Sequence, residues 1–401
     1  MIIKGKHNEV DVKIESIDEA THEQLLELAN NPDYSDSVIK VMPDTHAGKG
    51  CTIGLTMTLT DKATPNFVGV DIGCGVLVVK LRQKDIDFKK LDEVIRKHVP
   101  FGSNNNEEYH VPAILGAASF LNETSSENYS GIQPENLLRS VGTLGGGNHF
   151  IEVARGAKSD HLYLLIHTGS RAIGARVAKN HQRIAKSAVK KLDINKLVSD
   201  LKAQGRHKEI QSEIQKYKEN FVEVNPEAAY LKGEDLANYL RDLKFAQTFA
   251  KINRYIIASV IMTHMKLNSL GNFDKPHNYI DLENSILRKG AQSAYKDEAV
   301  IIPINMRDGS ILGIGKGNAD WNYSAPHGAG RVLSRRKAKS MLDVKEFEQT
   351  MEGVFSTTVG LDTLDEAPMA YKSIDDIYNA IGETVEIKDI LKPLYNFKAS
   401  E

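Results

Sequence analysis

VGVDIGCGVLVVKL, residues 68–81, carries one of only two cysteines in a chain of 401 residues. Asp71 precedes Cys74 by three positions, and Gly69, Gly73 and Gly75 are interleaved with them. Val76 to Val79 read as a buried strand. The glycines permit backbone bends that aim both side chains at one point. A lone cysteine is ordinarily a small buried hydrophobe, whereas an aspartate is rarely buried without a partner. Thiolate plus carboxylate suits a transition metal such as Mn, Fe, Co or Zn. Taken alone, the pair favours packing over a metal. The context changes that balance.

Working outward, 41–59 (VMPDTHAGKGCTIGLTMTL) reads as strand-like runs broken by turns. Residues 84–98 have helical spacing of Ile86, Leu91, Val94 and Ile95. Residues 102–110 read as a polar loop and 134–140 as a short helix. TLGGGNHFIEV (143–153) is a glycine turn entering a strand, and LYLLIH (162–167) is a buried strand ending on a histidine. From 172 to 265 the pattern is mostly helical, including 206–222, with Gly205 and Gly233 as breaks. Strand and glycine-turn character returns at 277–284, 299–317 and 324–338. The tail, 374–398, reads as a helix followed by KPLYNFK. Strand-type segments on both sides of 172–265 point to one domain over 1–401, with 172–265 as a mostly helical insertion.

Composition is ordinary for a globular protein, 41% hydrophobic and 26% charged. No apolar run is long enough to span a bilayer. The start, MIIKGKHNEV, lacks the layout of a secretory signal. With Cys51 and Cys74 alone, a disulfide framework is excluded and a reducing, cytoplasmic setting is expected. Net charge is −2, so a polyanion would have to be held by a local basic patch. RVLSRRKAK (331–339) is the densest such patch. On a helix, Arg331, Arg335 and Lys339 would share one face.

Four of the 13 histidines stand out by context. His149 follows GGGN, His167 opens HTGSR, His277 lies between a proline and Asn278, and His327 sits in PHGAGR. Histidines at strand ends beside glycine turns are where sites form. Together with Asp71 and Cys74 they make a donor set for one or two ions. The turns GTLGGGNHF, HTGSR and HGAGR can bring backbone N–H groups close to phosphate oxygens. None is a Walker A loop or a dinucleotide fingerprint. Cys51, in GKGCTIG, has no acidic or histidine neighbour in a comparable turn and reads as structural.

PDTHAGKG, VGVDIGCG, GGGNHFIE, HTGSR, HNY, SAPHGAGRVLSRRKA and KPLYNFK, in this order from about 41 to 398, resemble the RtcB family of RNA-splicing ligases. The resemblance implies an α+β RtcB-type fold, packed mixed β-sheets with surrounding helices, and an enzyme that joins RNA ends using GTP and two Mn2+ ions. One end would carry a 2′,3′-cyclic phosphate or 3′-phosphate, the other a 5′-hydroxyl. By motif, Asp71, Cys74, His149, His167 and His277 would be the metal ligands, with Cys74 bridging. His327 would be the nucleophile that takes GMP. Asn148, Glu152, Gly328, Ala329, Gly330, Arg331 and Lys398 would contact the nucleotide or RNA end. An activating partner such as archease is a further implication. The segment IPINMRDGS departs from better-known members at Asn305, Arg307 and Asp308, as does GNADWNYSAP before His327. These departures bear on the nucleotide contacts of 303–326 and point towards repair rather than tRNA splicing. Two rival readings are a binuclear metal-dependent phosphodiesterase acting on RNA ends, which needs no nucleophilic histidine, and an RNA-binding module, which needs no Cys74.

Overall fold

The run that opens this reading becomes the strand Gly75–Leu81, which is buried on both faces. Leu77, Val79 and Leu81 point one way, into a core with Leu91, Ile95, Ile151, Leu164, Ile257 and Ile261. Val76 and Val78 point the other way, against Phe150, Tyr163, Leu165 and Ile301. Side chains alternate along a strand, so two buried faces require an unbroken apolar run. A computed structural model describes residues 1–108, 134–189, 194–220 and 225–399. Tyr109 and His110 of the expected polar loop, Lys190 and Lys191, and residues 221–222 of the expected helix lie outside the described residues.

Gly75–Leu81 belongs to a seven-stranded sheet. In spatial order its strands are Ser269–Pro276, Gly75–Leu81, Leu162–Thr168, Phe150–Gly156, Val385–Lys398, Gly309–Gly315 and Ala299–Asn305. Every neighbouring pair is antiparallel. A six-stranded sheet holds Ile2–Lys4, Glu9–Val12, Ile39–His46, Ile53–Thr58, Ile286–Lys289 and Asn278–Asp281. His277 stands between the two sheets, at the point where Ser269–Pro276 gives way to Asn278–Asp281. Its N–H donates to Cys74 O at 2.8 Å, and its carbonyl accepts from Ala291 N at 3.1 Å. The architecture is α+β, as expected.

Helices cover the sheets. Phe88–His98 is capped by Asp87, whose side chain accepts from Lys90 N, and it buries Leu91 and Ile95. Between 171 and 265 the described helices are Arg171–Ala188, Ile194–Ala203, Ile210–Asn220 and Gly233–Met265. The last has 33 residues. It buries Ile257 and Ile261 in the core under the seven-stranded sheet, and Tyr239, Leu243 and Phe249 in the core beside the other.

One expectation fails. The basic helix spans only Arg335–Met341, with Ser334 capping through a bond accepted from Lys337 N. Arg331 lies before the cap, in an isolated bridge with Tyr371. It therefore shares no helical face with Arg335 and Lys339. Gly330, at φ +77°, turns the chain there against the Asp44 backbone, and the helix starts only after the Ser334 cap.

Candidate metal and nucleotide site

The turn Asp71–Cys74 is shaped by Gly73. Its φ is +75°, and a Cβ there would come within 2.8 Å of Gln247 on the long helix. Only glycine accepts both constraints. The turn brings Cys74 Sγ to 3.3 Å from His167 Nε2 and 3.6 Å from His149 Nε2. His167 Nε2 and His277 Nε2 are 3.3 Å apart. His149 Nε2 lies 3.0 Å from Asp71 Oδ2. Cys74 thus belongs to two donor triads, one with His167 and His277 and one with Asp71 and His149, each with its donor atoms within 4.8 Å of one another. All five side chains expected to hold metal meet at one place. Thiol, imidazole and carboxylate donors converging in this way, with one sulfur shared, fit a pair of transition-metal ions.

The far side of each ring is anchored. His149 Nδ1 is 2.9 Å from Leu144 O, and His167 Nδ1 is 3.2 Å from Asn148 O. A carbonyl only accepts, so each Nδ1 carries a proton; with metal bound, each Nε2 would turn its lone pair to the cluster. Burial, and then the neighbouring imidazoles, push His167 and His277 well below the usual histidine range, so both stay neutral. Burial and then the charge of Asp71 push the Cys74 thiol well up. A divalent cation reverses that logic by stabilising the thiolate. Burial acts to raise Asp71, but the hydrogen bond and charge of His149 outweigh it and hold its carboxyl below the ordinary value.

His327 lies beside this cluster, its ring centre 4.8 Å from that of His277. Its Nδ1 is 2.7 Å from Asp44 Oδ2, which also accepts the His327 backbone N–H at 3.2 Å. Asp44 is fully buried. The carboxylate holds the proton on Nδ1 and leaves Nε2 as a free lone pair, the arrangement of an oriented nucleophile.

A family comparison bears on this geometry. The tRNA-splicing ligase RtcB family matches residues 24–399. The chain belongs to the RtcB family. It is 29% identical to the RNA-splicing ligase RtcB of Escherichia coli K12 over 398 aligned residues, which cover 91% of this chain and 90% of that protein. It is 25% identical to the tRNA-splicing ligase RtcB of Nanoarchaeum equitans, over 95% of this chain and 93% of that one. With that of Aeropyrum pernix the figure is 27%, over 84% and 82%.

In this RtcB-family chain the cluster opens into a cleft of about 300 Å³, lined also by Asn148, Glu152, Gly328, Ala329, Gly330, Arg331 and Lys398. Glu366, which sequence reasoning missed, organises its far wall. It is 2.7 Å from Lys398 Nζ and from Arg335 Nη1, 3.2 Å from Arg331 Nη1, and accepts from Tyr371 OH at 2.7 Å. Burial works to raise its pKa, but Lys398 and Arg335 overcome that and bring it down to about 2. Glu152 is the opposite case: burial pushes its carboxyl up to about 8 against the bond from Asn396 and the charge of Lys398. Its Oε1 and the Oδ1 of Asn396 are buried without hydrogen-bond partners among the described residues. A protonated Oε1 donates and Asn396 Oδ1 accepts, so the pair fits a ligand that offers both an acceptor and a donor, as a nucleotide base does.

The variant segments separate by position. Asn305 lines the cleft. Arg307 and Asp308 pair with each other, Nε to Oδ1 at 2.7 Å, and Asn305 Oδ1 caps their backbone N–H groups. Their charge is consumed within the hairpin tip. Trp321 is buried with Met42 and Ala291 and donates to Glu383 at 2.9 Å. Asn322 bonds the Val38 carbonyl at 3.1 Å. That part of the departure braces the six-stranded sheet.

Two further residues carried no sequence signal. Asn253 and Arg254 lie mid-helix in Gly233–Met265, behind the donors. Asn253 Oδ1 accepts from Gly142 N and Thr143 N, and its Nδ2 donates to Thr143 O, tying down the loop that leads to His149. Arg254 Nη1 donates to Gly73 O at 2.8 Å and Thr168 O at 2.7 Å, next to Cys74 and His167. The rest of its guanidinium grips Asp274 on the strand that ends at His277.

Proposed function

We propose that this protein is a GTP- and manganese-dependent RNA ligase that joins 2′,3′-cyclic phosphate or 3′-phosphate ends to 5′-hydroxyl ends through a His327–GMP intermediate. The observation that carries the proposal is the His327–Asp44 pair, at 2.7 Å beside the Cys/His cluster. A binuclear hydrolase that attacks with a metal-bound hydroxide needs no nucleophilic histidine beside its metal cluster. Asp71, Cys74, His149, His167 and His277 would hold two metal ions, with Cys74 shared. Such ions shield phosphate charge and stabilise a departing pyrophosphate.

The remaining roles fall to the chain itself. His327 Nε2 attacks the α-phosphorus of GTP, forming a P–N bond as the bond to pyrophosphate breaks. Asp44 keeps the proton on Nδ1 and stabilises the charge that develops on the ring. The RNA 3′-phosphate displaces the imidazole and takes GMP. The RNA 5′-hydroxyl then attacks that phosphate and expels GMP. Asn148, Glu152, Lys398 and the Gly328–Arg331 backbone would seat the nucleotide, and Arg331 and Arg335 would meet phosphates. The proposal treats 1–401 as one catalytic unit. Asn253 and Arg254 support this, since the long helix braces the donor loops. Among the described residues no helix is long and apolar enough to cross a membrane. Action in the cytoplasm keeps Cys74 reduced.

The test is covalent labelling. Protein is incubated with α-labelled GTP or ATP and Mn2+, Co2+ or Zn2+, then denatured. Label from GTP with Mn2+, lost in His327→Ala at unchanged metal content, is expected. Label that persists in His327→Ala refutes the nucleophile. Cleavage of cyclic phosphate ends with no label at all would make the protein a phosphodiesterase. Sealing assays with RNA ends, with and without archease, test substrate and activator.

A further inference from the structure

We propose that His46 is the general base of the sealing step, taking the proton of the RNA 5′-hydroxyl as it attacks the activated 3′-phosphate. This inference rests on the ligase reading above.

Proton accounting singles out the step. When His327 attacks GTP, a neutral imidazole is the nucleophile and pyrophosphate leaves as an anion, so no proton must be removed. When the RNA 3′-phosphate takes GMP, an anion attacks, and an imidazole that has kept its Nδ1 proton leaves neutral. In sealing, an alcohol attacks. The new O–P bond forms, the P–O bond to GMP breaks, GMP departs with the electron pair as a phosphate anion, and the O–H proton needs an acceptor. From a 3′-phosphate end, sealing alone has that need.

Few groups lining the cleft can accept a proton. Asp71, Cys74, His167 and His277 are committed to the donor cluster. His327 Nε2 is free once GMP has left it, but it faces GMP, which an in-line displacement places opposite the attacking 5′-hydroxyl. Glu152 is protonated at neutral pH, with its carboxyl pushed up to about 8 by burial. Glu366 is locked by Lys398, Arg335 and Arg331. Tyr371 donates to Glu366. Arginines and Lys398 are cations with nothing to accept.

His46 remains. It ends the strand Ile39–His46, is half-buried and lines the cleft. Its Nδ1 lies 3.1 Å from Asp44 O. A carbonyl accepts only, so the ring proton is on Nδ1 and the Nε2 lone pair is uncommitted among the described residues. Asp44, His327 and Lys372 are the charged or titratable groups that act on it. Burial first, with the charge of Lys372 behind it, holds it below the ordinary histidine value against Asp44, so it is neutral at pH 7. Asp44 thus orients both imidazoles, His327 through its carboxylate and His46 through its carbonyl. The open side of the cleft lets His46 return its proton to water.

The experiment uses RNA already carrying GMP on its 3′-phosphate, together with a 5′-hydroxyl RNA, in single-turnover sealing by the Mn2+-loaded full chain. His46→Ala is expected to slow sealing about a hundred- to ten-thousand-fold. Labelling of His327 by GTP is expected to stay within about threefold, and added imidazole to restore sealing in His46→Ala in proportion to its concentration. Sealing within about threefold of wild type overturns the inference, as does sealing loss without imidazole rescue in a variant that still labels. His46→Gln, which keeps bulk but has no basic nitrogen, should behave as His46→Ala; wild-type sealing in it also overturns the inference. If wild-type protein neither labels nor seals, the failure belongs to the ligase reading instead.

Discussion

Replacing Asp44 with asparagine isolates the orientation of His327 from everything else in the site. The substitution preserves shape at a position with no solvent exposure. It changes which partner can donate. In the native arrangement Oδ2 accepts from both the backbone N–H and Nδ1 of His327, at 3.2 and 2.7 Å. An asparagine can accept the backbone N–H with its oxygen, or it can present its NH2 group to the ring. With the NH2 group facing Nδ1, the ring proton moves to Nε2 and the lone pair points away from GTP. The stabilisation of developing imidazolium charge is lost as well. In a comparably built His–Asp pair this exchange costs about ten-thousandfold in rate. We therefore expect His327 guanylylation in Asp44→Asn to fall by about a thousand- to ten-thousandfold, or about 4 to 5.5 kcal/mol in the barrier. Rapid-quench labelling with α-labelled GTP reads the rate directly. Metal content by mass spectrometry and the far-UV spectrum should match wild type, because Asp44 touches neither donor triad. A labelling rate within tenfold of wild type, with folding and metal intact, would refute the tautomer argument.

Cys74→Ser should lower bound metal to less than one ion per chain, since one sulfur serves both triads; two retained ions by mass spectrometry would contradict the shared position. Arg254→Met leaves Asp274 buried and unpaired and should cost about 3 to 5 kcal/mol in unfolding free energy. Arg254→Met with Asp274→Leu should regain much of that stability but not the Mn2+ affinity, which calorimetric titration measures. Glu366 has its folded pKa lowered from 4.5 to about 2, so it adds stability above pH 4.5 that disappears as pH falls towards 2. That difference is on the order of 3 kcal/mol, and Glu366→Gln should flatten the acid limb of the stability curve. Glu152 works in the other direction, from 4.5 up to about 8. Its contribution is complete below pH 4.5 and lost as pH rises through 8, so Glu152→Gln should be relatively more stable at pH 8 than at pH 5, read by denaturant unfolding.

Much of the site was legible in one dimension because its chemistry is concentrated in short, unusual turns. Asp71 and Cys74 sit among closely spaced glycines at the mouth of a strand, His149, His167 and His327 each adjoin a glycine turn, and His277 follows a proline. Periodicity told Gly75–Leu81 and Leu162–Thr168 apart from the amphipathic helix Phe88–His98, because burial on both faces gives runs of consecutive apolar residues, Val76–Val79 and Leu162–Ile166, rather than helical spacing. The motif order then identified the family and its α+β fold. Local spacing misled at 331–339, where regular basic positions suggested one helical face. Instead the chain turns at Gly330, which lies against the backbone of Asp44, 286 positions earlier in the sequence.

The amino-acid sequence by itself determined which residue types were available for metal and nucleotide chemistry, and where backbone freedom was needed to display them. Only the tertiary structure decided how they meet: that Cys74 is common to two triads, that Asp44 holds the proton of His327, that Glu366 gathers Arg331, Arg335 and Lys398, and that Asn253 and Arg254 brace the donor loops from a helix. The reason is physical. A carboxylate, an amide or a guanidinium acts through partners within about 3 Å, and those partners are brought together by sheet pairing and helix packing across long stretches of chain. A polar residue in a helix looks the same in sequence whether it faces solvent or the back of an active site.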